Sequence, residues 1–144
     1  MQRIPPCGRI VDHRGKDRLL LIFSPELRDA RLTEQTLDIQ RNRAGLLERD
    51  MVVYRVVMNG ESNCDGSVID DRTAREIRSQ FGVPDQAFQV ILVGKDGTVK
   101  LRRLTPTPLR QVFSLVDSMP MRRREMRERK GEVPEQPPDD AGPQ

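Results

Sequence analysis

Two sulfurs, one imidazole and one strand-to-helix turn carry most of the chemical options of this 144-residue chain. The apolar run Leu19, Leu20, Leu21, Ile22, Phe23 leads into Ser24, Pro25 and Glu26, and then into a helix. A cysteine at the first turn of a helix is held as thiolate by the backbone amides there and can attack disulfides or peroxide. Ser24 stands at that turn instead, and Glu26 adds negative charge where a thiolate would sit. Serine does not exchange disulfides, which disfavours dithiol catalysis. Ser24 either donates a hydrogen bond to a bound thiol or anion at the helix end, or it ends the strand and starts the turn, which is the simpler reading.

The two cysteines, Cys7 and Cys64, lie in segments that read as a tail and a loop. A bridge between them would close a long loop and add about 4 kcal/mol. The sequence favours two free thiols, and so sparse a pair leaves the redox compartment open. Cys64 falls in a stretch, 59–66, where oxygen-bearing side chains alternate as in a calcium loop. The match fails: the first position is Asn59, Cys64 replaces the sharp-turn glycine, and the closing Asp70 is shorter than the usual glutamate. No Lys, Arg or His adjoins Cys64 to depress its pKa. His13, the sole histidine, follows Asp12 in an irregular stretch, offers with Cys7 too few ligands for a structural zinc, and is expected to be exposed. No Ser-His-Asp set, glycine-rich phosphate loop or carboxylate pair assembles. The sequence thus assigns no catalytic, cofactor-binding or metal-binding residue.

The strongest charge feature is the run from Arg122 to Lys130, which includes Arg123 and Arg124. Such runs bind phosphate backbones or acidic surfaces. Cations at a helix carboxyl end are also favoured by the dipole, with Glu125–Arg129 and Arg124–Glu128 as i,i+4 pairs. No aromatics interleave to stack bases, so nucleic acid is a disfavoured partner. Met119, Met121 and Met126 either pack this segment onto the core, the preferred reading, or leave an adaptable apolar patch.

These groups must be positioned by one modest core: the chain is 35% hydrophobic and 33% charged, with no Trp, one Tyr and four Phe, so Leu, Val, Ile and Met must fill it. Residues 1–16 read as an irregular N-terminal segment, 17–130 as the folded domain, and the acidic, proline-rich 131–144 as a disordered tail. The run 19–23 is apolar on both faces, as a covered central strand must be. A helix follows over about 29–49, with Leu32, Ile39 and Leu46 at seven-residue spacing and Leu37, Ala44 and Leu47 alongside. The β-branched stretch 51–57 makes a second, parallel strand. A polar loop spans 59–66, and Asp70 or Asp71 caps a short helix carrying Ala74, Ile77 and Phe81, which Gly82 and Pro84 stop. A hairpin turns at 94–97, and its second strand alternates apolar and charged residues as an exposed edge does. Thr107 caps a last helix, with Pro108 at its first position and Pro120 breaking or re-aiming it. The order βαβαββα predicts an α/β, thioredoxin-like domain: a four-stranded mixed sheet in order 2-1-3-4, flanked by helices. That fold often sets a proline immediately before the third strand, and Pro84 lies four residues short of Phe88.

Three segments resemble a known family: 18–25 (Arg-Leu-Leu-Leu-Ile-Phe-Ser-Pro), 89–97 (Gln-Val-Ile-Leu-Val-Gly-Lys-Asp-Gly) and 115–126, in which Met119-Pro120-Met121-Arg122 and the closing Glu125-Met126 are the most specific part. The family is domain of unknown function family 4174, also called P-DUDES, and the likeness covers about residues 17–127. The resemblance implies a thioredoxin-like fold with no established activity and no agreed catalytic residues. It also implies occurrence alone in short bacterial proteins and as a module of animal extracellular proteins that carry sushi repeats.

A familiar scaffold without its nucleophile points to a non-catalytic binding module with a protein or matrix partner. The candidate faces are Ser24, Pro25 and Glu26 at the helix end, or Met119, Met121, Arg122, Arg123, Arg124 and Met126. The alternative is an atypical thiol enzyme in which Cys64 reacts with peroxide or a disulfide. No cofactor is expected. No run approaches the ~20 apolar residues of a membrane span. The first residues lack a secretory signal, which favours the cytoplasm, while the resemblance allows a periplasmic or secreted protein.

Overall fold

The computed structural model describes residues 7–131. Strand β1 (Arg18–Glu26) is apolar on both faces and becomes the buried centre of the sheet. It pairs in parallel with β2 (Met51–Asn59), Leu21 opposite Tyr54, and antiparallel with β5 (Gln89–Val93), Leu21 opposite Ile91. Strand β6 (Val99–Arg103) follows β5 through a turn in which Gly97 takes φ +83°, and it forms the exposed cationic edge. These four strands stand in the expected order.

The sheet nevertheless has six strands, in the order β4-β3-β2-β1-β5-β6. The segment expected as a polar loop forms β3 (Ser62–Cys64), which pairs with β2, and turns back as β4 (Ser67–Ile69). Asp65 and Gly66 make the connection with φ of +49° and +90°, the left-handed pair of a type I′ hairpin turn. Alternation turns Ser62 and Cys64 inward, both buried. Cys64 was expected in a solvated loop and lies instead in the core.

The long helix expected over 29–49 is two helices, α1 (Ala30–Arg41) and α2 (Arg43–Glu48). Asn42 separates them; its side-chain amide donates to the Asp38 carbonyl at 2.8 Å and to Asp38 Oδ1 at 3.0 Å, a local competition that interrupts the helix. Leu32, Ile39 and Leu46 face the core as expected, whereas Leu37 and Leu47 are exposed. Helix α3 (Asp71–Gln80) is capped by Asp70, which accepts from the Thr73 amide at 2.8 Å, and Gly82 follows it at φ +66°.

Helix α4 (Leu109–Asp117) is not capped by Thr107 as expected. Asp38 of α1 accepts from the Leu109 amide at 2.7 Å, while the Thr107 hydroxyl donates to the Thr105 carbonyl. Buried Gln35 holds the Thr107 backbone by both its amide and its carbonyl, at 2.7 and 2.9 Å.

One face of the sheet, with Leu19, Leu21, Phe23, Tyr54 and Ile91, forms a core cluster with Ala74 and Ile77 of α3, with Cys7 and Ile10 packed at its margin. Contacts divide the chain into two compact units, one ending at Val112 and one beginning at Phe113. The second holds the end of α4, which stops at Asp117, and helix α5 (Pro120–Arg129), which opens on Pro120. Apart from Gly131, the acidic tail lies outside the described residues. No helix among the described residues is long and apolar enough to cross a membrane.

Candidate functional site

At the carboxyl end of β1 the strand does not turn at Ser24. It continues to Glu26, with Ser24 opposite Val57 and Glu26 opposite Asn59. The first helical residue is Ala30, so Ser24 lies six positions before it and not at the helix amides. Ser24 is buried and donates to the Glu26 carbonyl at 2.8 Å, so it neither ends the strand nor lies at the helix end, and both expectations for it are corrected. Pro25 is buried as well, and Glu26 is exposed.

The α1 amides are already served by the chain itself. Asp29 accepts from the Arg31 amide and from its guanidinium at 2.9 and 2.6 Å. Hydrogen bonding from the Arg31 side chain holds the Asp29 carboxyl below its usual range. Arg31 also lies 5.1 Å over the Phe88 ring.

The sulfurs are elsewhere, and they are not free: Cys7 and Cys64 form a disulfide with a Cα–Cα distance of 5.7 Å. This corrects the expectation of two thiols. Register explains it, because β3 sets Cys64 opposite Tyr54, five residues back along β2 from the Asn59 that faces Glu26. Only once β3 forms does Cys64 meet the arm that carries Cys7.

That arm was read as irregular and contains a 3₁₀ turn, Ile10–His13. His13, expected to be exposed, is buried to 1%. Its Nδ1 lies 3.0 Å from Asp17 Oδ2 and its Nε2 lies 2.7 Å from the Tyr54 hydroxyl. A carboxylate only accepts, so the Nδ1 proton points to Asp17; in the neutral ring Nε2 then accepts from Tyr54. Burial, then the Asp65, Asp17 and Asp12 charges, push the Tyr54 phenol well above its usual range, which keeps its proton available to donate. Gly8, next to Cys7, places its carbonyl 3.4 Å from the same hydroxyl. The Gly15 amide donates to the Lys95 carbonyl at 2.7 Å and pins the arm's other end.

Neither Asp17 nor Tyr54 stood out in the sequence: Asp17 lies four residues from His13 but in a stretch without helical periodicity, and Tyr54 lies 41 positions away. The lone His and lone Tyr of a chain poor in rings were the available signal.

A groove of about 700 Å³ lies between the arm and the β4–α3 segment, lined by Cys7, Arg9, Ile10, Val68, Thr73 and Ile77 among others. Cys7 is partly exposed beside it, whereas Cys64 is fully buried.

The other predicted interaction residues lie around α5. Met121, Arg123 and Arg124 are exposed, and Met119 and Met126 are half-buried. Arg122 is buried, with Nε 3.0 Å from Asp117 Oδ1 and Nη1 3.9 Å from Glu125, so it offers no free surface.

Comparison with known proteins adds family and fold. The model of the family described as domain of unknown function DUF4174 matches residues 9–125. Coiled-coil domain-containing protein 80 of Danio rerio is 34% identical over 84 residues, 56% of this chain and 10% of that protein. Sushi repeat-containing protein SRPX2 of Xenopus laevis is 27% identical over 126 residues, 83% of this chain and 27% of that protein. The chain therefore spans only a minor part of either relative's length. Among solved structures, the reduced 2-Cys peroxiredoxin of Plasmodium vivax aligns with a TM-score of 0.58 at 13% identity, covering 79% of this chain and 83% of that one. The mitochondrial 2-Cys peroxiredoxin of Plasmodium falciparum aligns with a TM-score of 0.54 at 14% identity, covering 85% and 84%. At these identities what is shared is the fold, and it is thioredoxin-like.

Proposed function

This chain belongs to the family of the domain of unknown function DUF4174, and on that premise we propose that it is a non-catalytic, thioredoxin-like interaction module working in an oxidising compartment. One observation carries the reading: the start of α1 holds no cysteine, while both cysteines of the chain are bonded to each other at the β3 corner. A helix terminus that would activate a thiol has none to activate. Disulfides persist outside reducing cytosol, which supports the compartment.

The partner is a protein or matrix component. The same kind of domain makes up 27% of a relative named for its sushi repeats, as a module among others would. The contact surface is the exposed Met121, Arg123 and Arg124 on α5, where a flexible thioether and two guanidinium groups suit an acidic, partly apolar partner. The competing reading, an enzyme whose Cys64 alone reacts with peroxide, is disfavoured by the burial of that sulfur and its bond to Cys7.

The test is turnover. The oxidised full chain should neither reduce insulin disulfides nor consume peroxide above the buffer rate, and robust turnover that survives Cys7→Ser with Cys64→Ser would refute the non-catalytic part. A partner captured by the intact chain should be lost on Met121→Ala, Arg123→Glu and Arg124→Glu together, with circular dichroism unchanged.

A further inference from the structure

We propose that the Cys7–Cys64 bridge is a thiol–disulfide exchange site, opened by a dithiol that attacks Cys7 from the groove, and that its opening releases one wall of that groove. The inference is independent of the interaction reading, since it concerns a single opening per molecule and not turnover.

Access is the first argument. Exchange requires the incoming thiolate to approach one sulfur from the side opposite the other, along the S–S axis. Cys64 is fully buried on β3, inward-facing between β2 and β4. Cys7 is partly exposed and lines the groove. An attack from the groove therefore reaches Cys7 and leaves Cys64 as the departing sulfur; the reverse would require a thiol to enter the core.

A dithiol loses one proton to water, and its thiolate bonds to Cys7 Sγ while the Cys7–Cys64 bond breaks. The electron pair leaves on Cys64, which takes up a proton. The dithiol's second thiol then loses its proton, attacks its own sulfur in the mixed disulfide and expels Cys7 as thiolate, which takes a proton up in turn. Two electrons pass to the protein, and the reagent becomes a disulfide.

Charge selects the reagent. The groove lining carries Arg9 against Asp12, Asp70 and Glu76, a net negative surface. Anionic thiols are repelled, while neutral and cationic ones are admitted, the more so at low salt.

The consequence is local. The groove wall from Cys7 to Asp12 is tied to the sheet by the bridge at one end and by His13, bonded to Asp17 and Tyr54, at the other. Opening the bridge releases Cys7 and leaves Gly8 and Arg9 held only by the long approach to the Tyr54 hydroxyl and the exposed Arg9–Asp12 bonds, while the His13 anchor holds, so the groove wall loosens without the fold being lost. Arg9, exposed in this wall, is a ready protease reporter.

The experiment treats the oxidised full chain under native conditions with dithiothreitol, cysteamine or glutathione, quenches with iodoacetamide and reads the mass. Dithiothreitol should open the bridge at a rate independent of urea below the unfolding transition. Single adducts with cysteamine should form several-fold faster than with glutathione, the gap closing as salt rises. Peptide mapping should place those adducts on Cys7, and tryptic cleavage after Arg9 should rise at least tenfold on reduction. In Cys64→Ser the remaining Cys7 should take up cysteamine from its disulfide, and in Cys7→Ser the remaining Cys64 should stay inert until urea unfolds the chain. The wild-type measurements stand even if a variant fails to fold. Opening only through the unfolding transition, adducts on Cys64, or unchanged cleavage after Arg9 would each overturn the proposal.

Discussion

The carboxyl end of β1 and the β3 corner are two parts of one sheet with opposite contents. At the first, Ser24 is buried against its own strand, and Asp29 with Arg31 occupies the α1 amides. At the second, a buried imidazole, carboxylate and phenol are bonded together beside a disulfide whose Cys64 is buried and whose Cys7 is partly exposed. The first end has the dipole that activates a thiol and has no thiol. The second has sulfur, bound in a bridge whose Cys64 is enclosed and whose Cys7, partly exposed, tethers an arm that polar side chains also secure. In this chain the fold's reactive end serves as a plain connection, while covalent and buried polar chemistry has moved to the margin.

That contrast can be broken by stability measurements. Replacing both cysteines, Cys7→Ser with Cys64→Ser, should cost about 4 kcal/mol against the oxidised chain, read as a shift of the urea midpoint. His13→Ala should cost about 3 kcal/mol, because it leaves the Asp17 carboxylate buried and strips Tyr54 of its nearest hydrogen-bond partner. Ser24→Ala at the other end should cost about 1 kcal/mol, the worth of its one hydrogen bond. If Ser24→Ala cost as much as the bridge, the strand end would be the structural linchpin and the comparison would fail.

The two regions should also lose stability at opposite ends of the pH scale. Burial raises the Tyr54 pKa in the folded chain above its unfolded value, so its contribution is complete below pH ~10 and is lost as the pH rises further; Tyr54→Phe should flatten that alkaline decline. Arg31 lowers the Asp29 pKa, so its contribution is present above pH ~4 and is lost as the pH falls through the folded value. The Asp29 effect should be the smallest of all, since the pair lies near solvent, and Asp29→Asn should remove it together with its salt dependence.

Much of the scaffold was legible because its signals are local. Apolar residues on both faces of β1 meant a covered central strand, Asp70 capped α3 through its own neighbour Thr73, and the turn at Gly97 set the β5–β6 hairpin. Asp65-Gly66 is a type I′ turn pair and so a local signal for the β3–β4 hairpin, but the polar residues on either side of it lack the apolar alternation of strands. The break at Asn42 is also local, although an asparagine within an otherwise helical pattern is a weak stop.

By itself, then, the sequence determined the order of the main strands, the buried centre of the sheet and the absence of sulfur at the start of α1, since each depends on periodicity or on residue identity at a place the chain order defines. Tertiary structure alone decided that Cys7 meets Cys64 across 57 positions, that His13 enters the core to meet Asp17 and Tyr54, and that Asp38 caps α4 from another helix. Each of these joins groups far apart in the chain or otherwise solvated, and each exists only after strand register and helix packing have brought them within bonding distance. Such contacts stabilise a fold already formed, so they leave no periodic trace in the residues that make them.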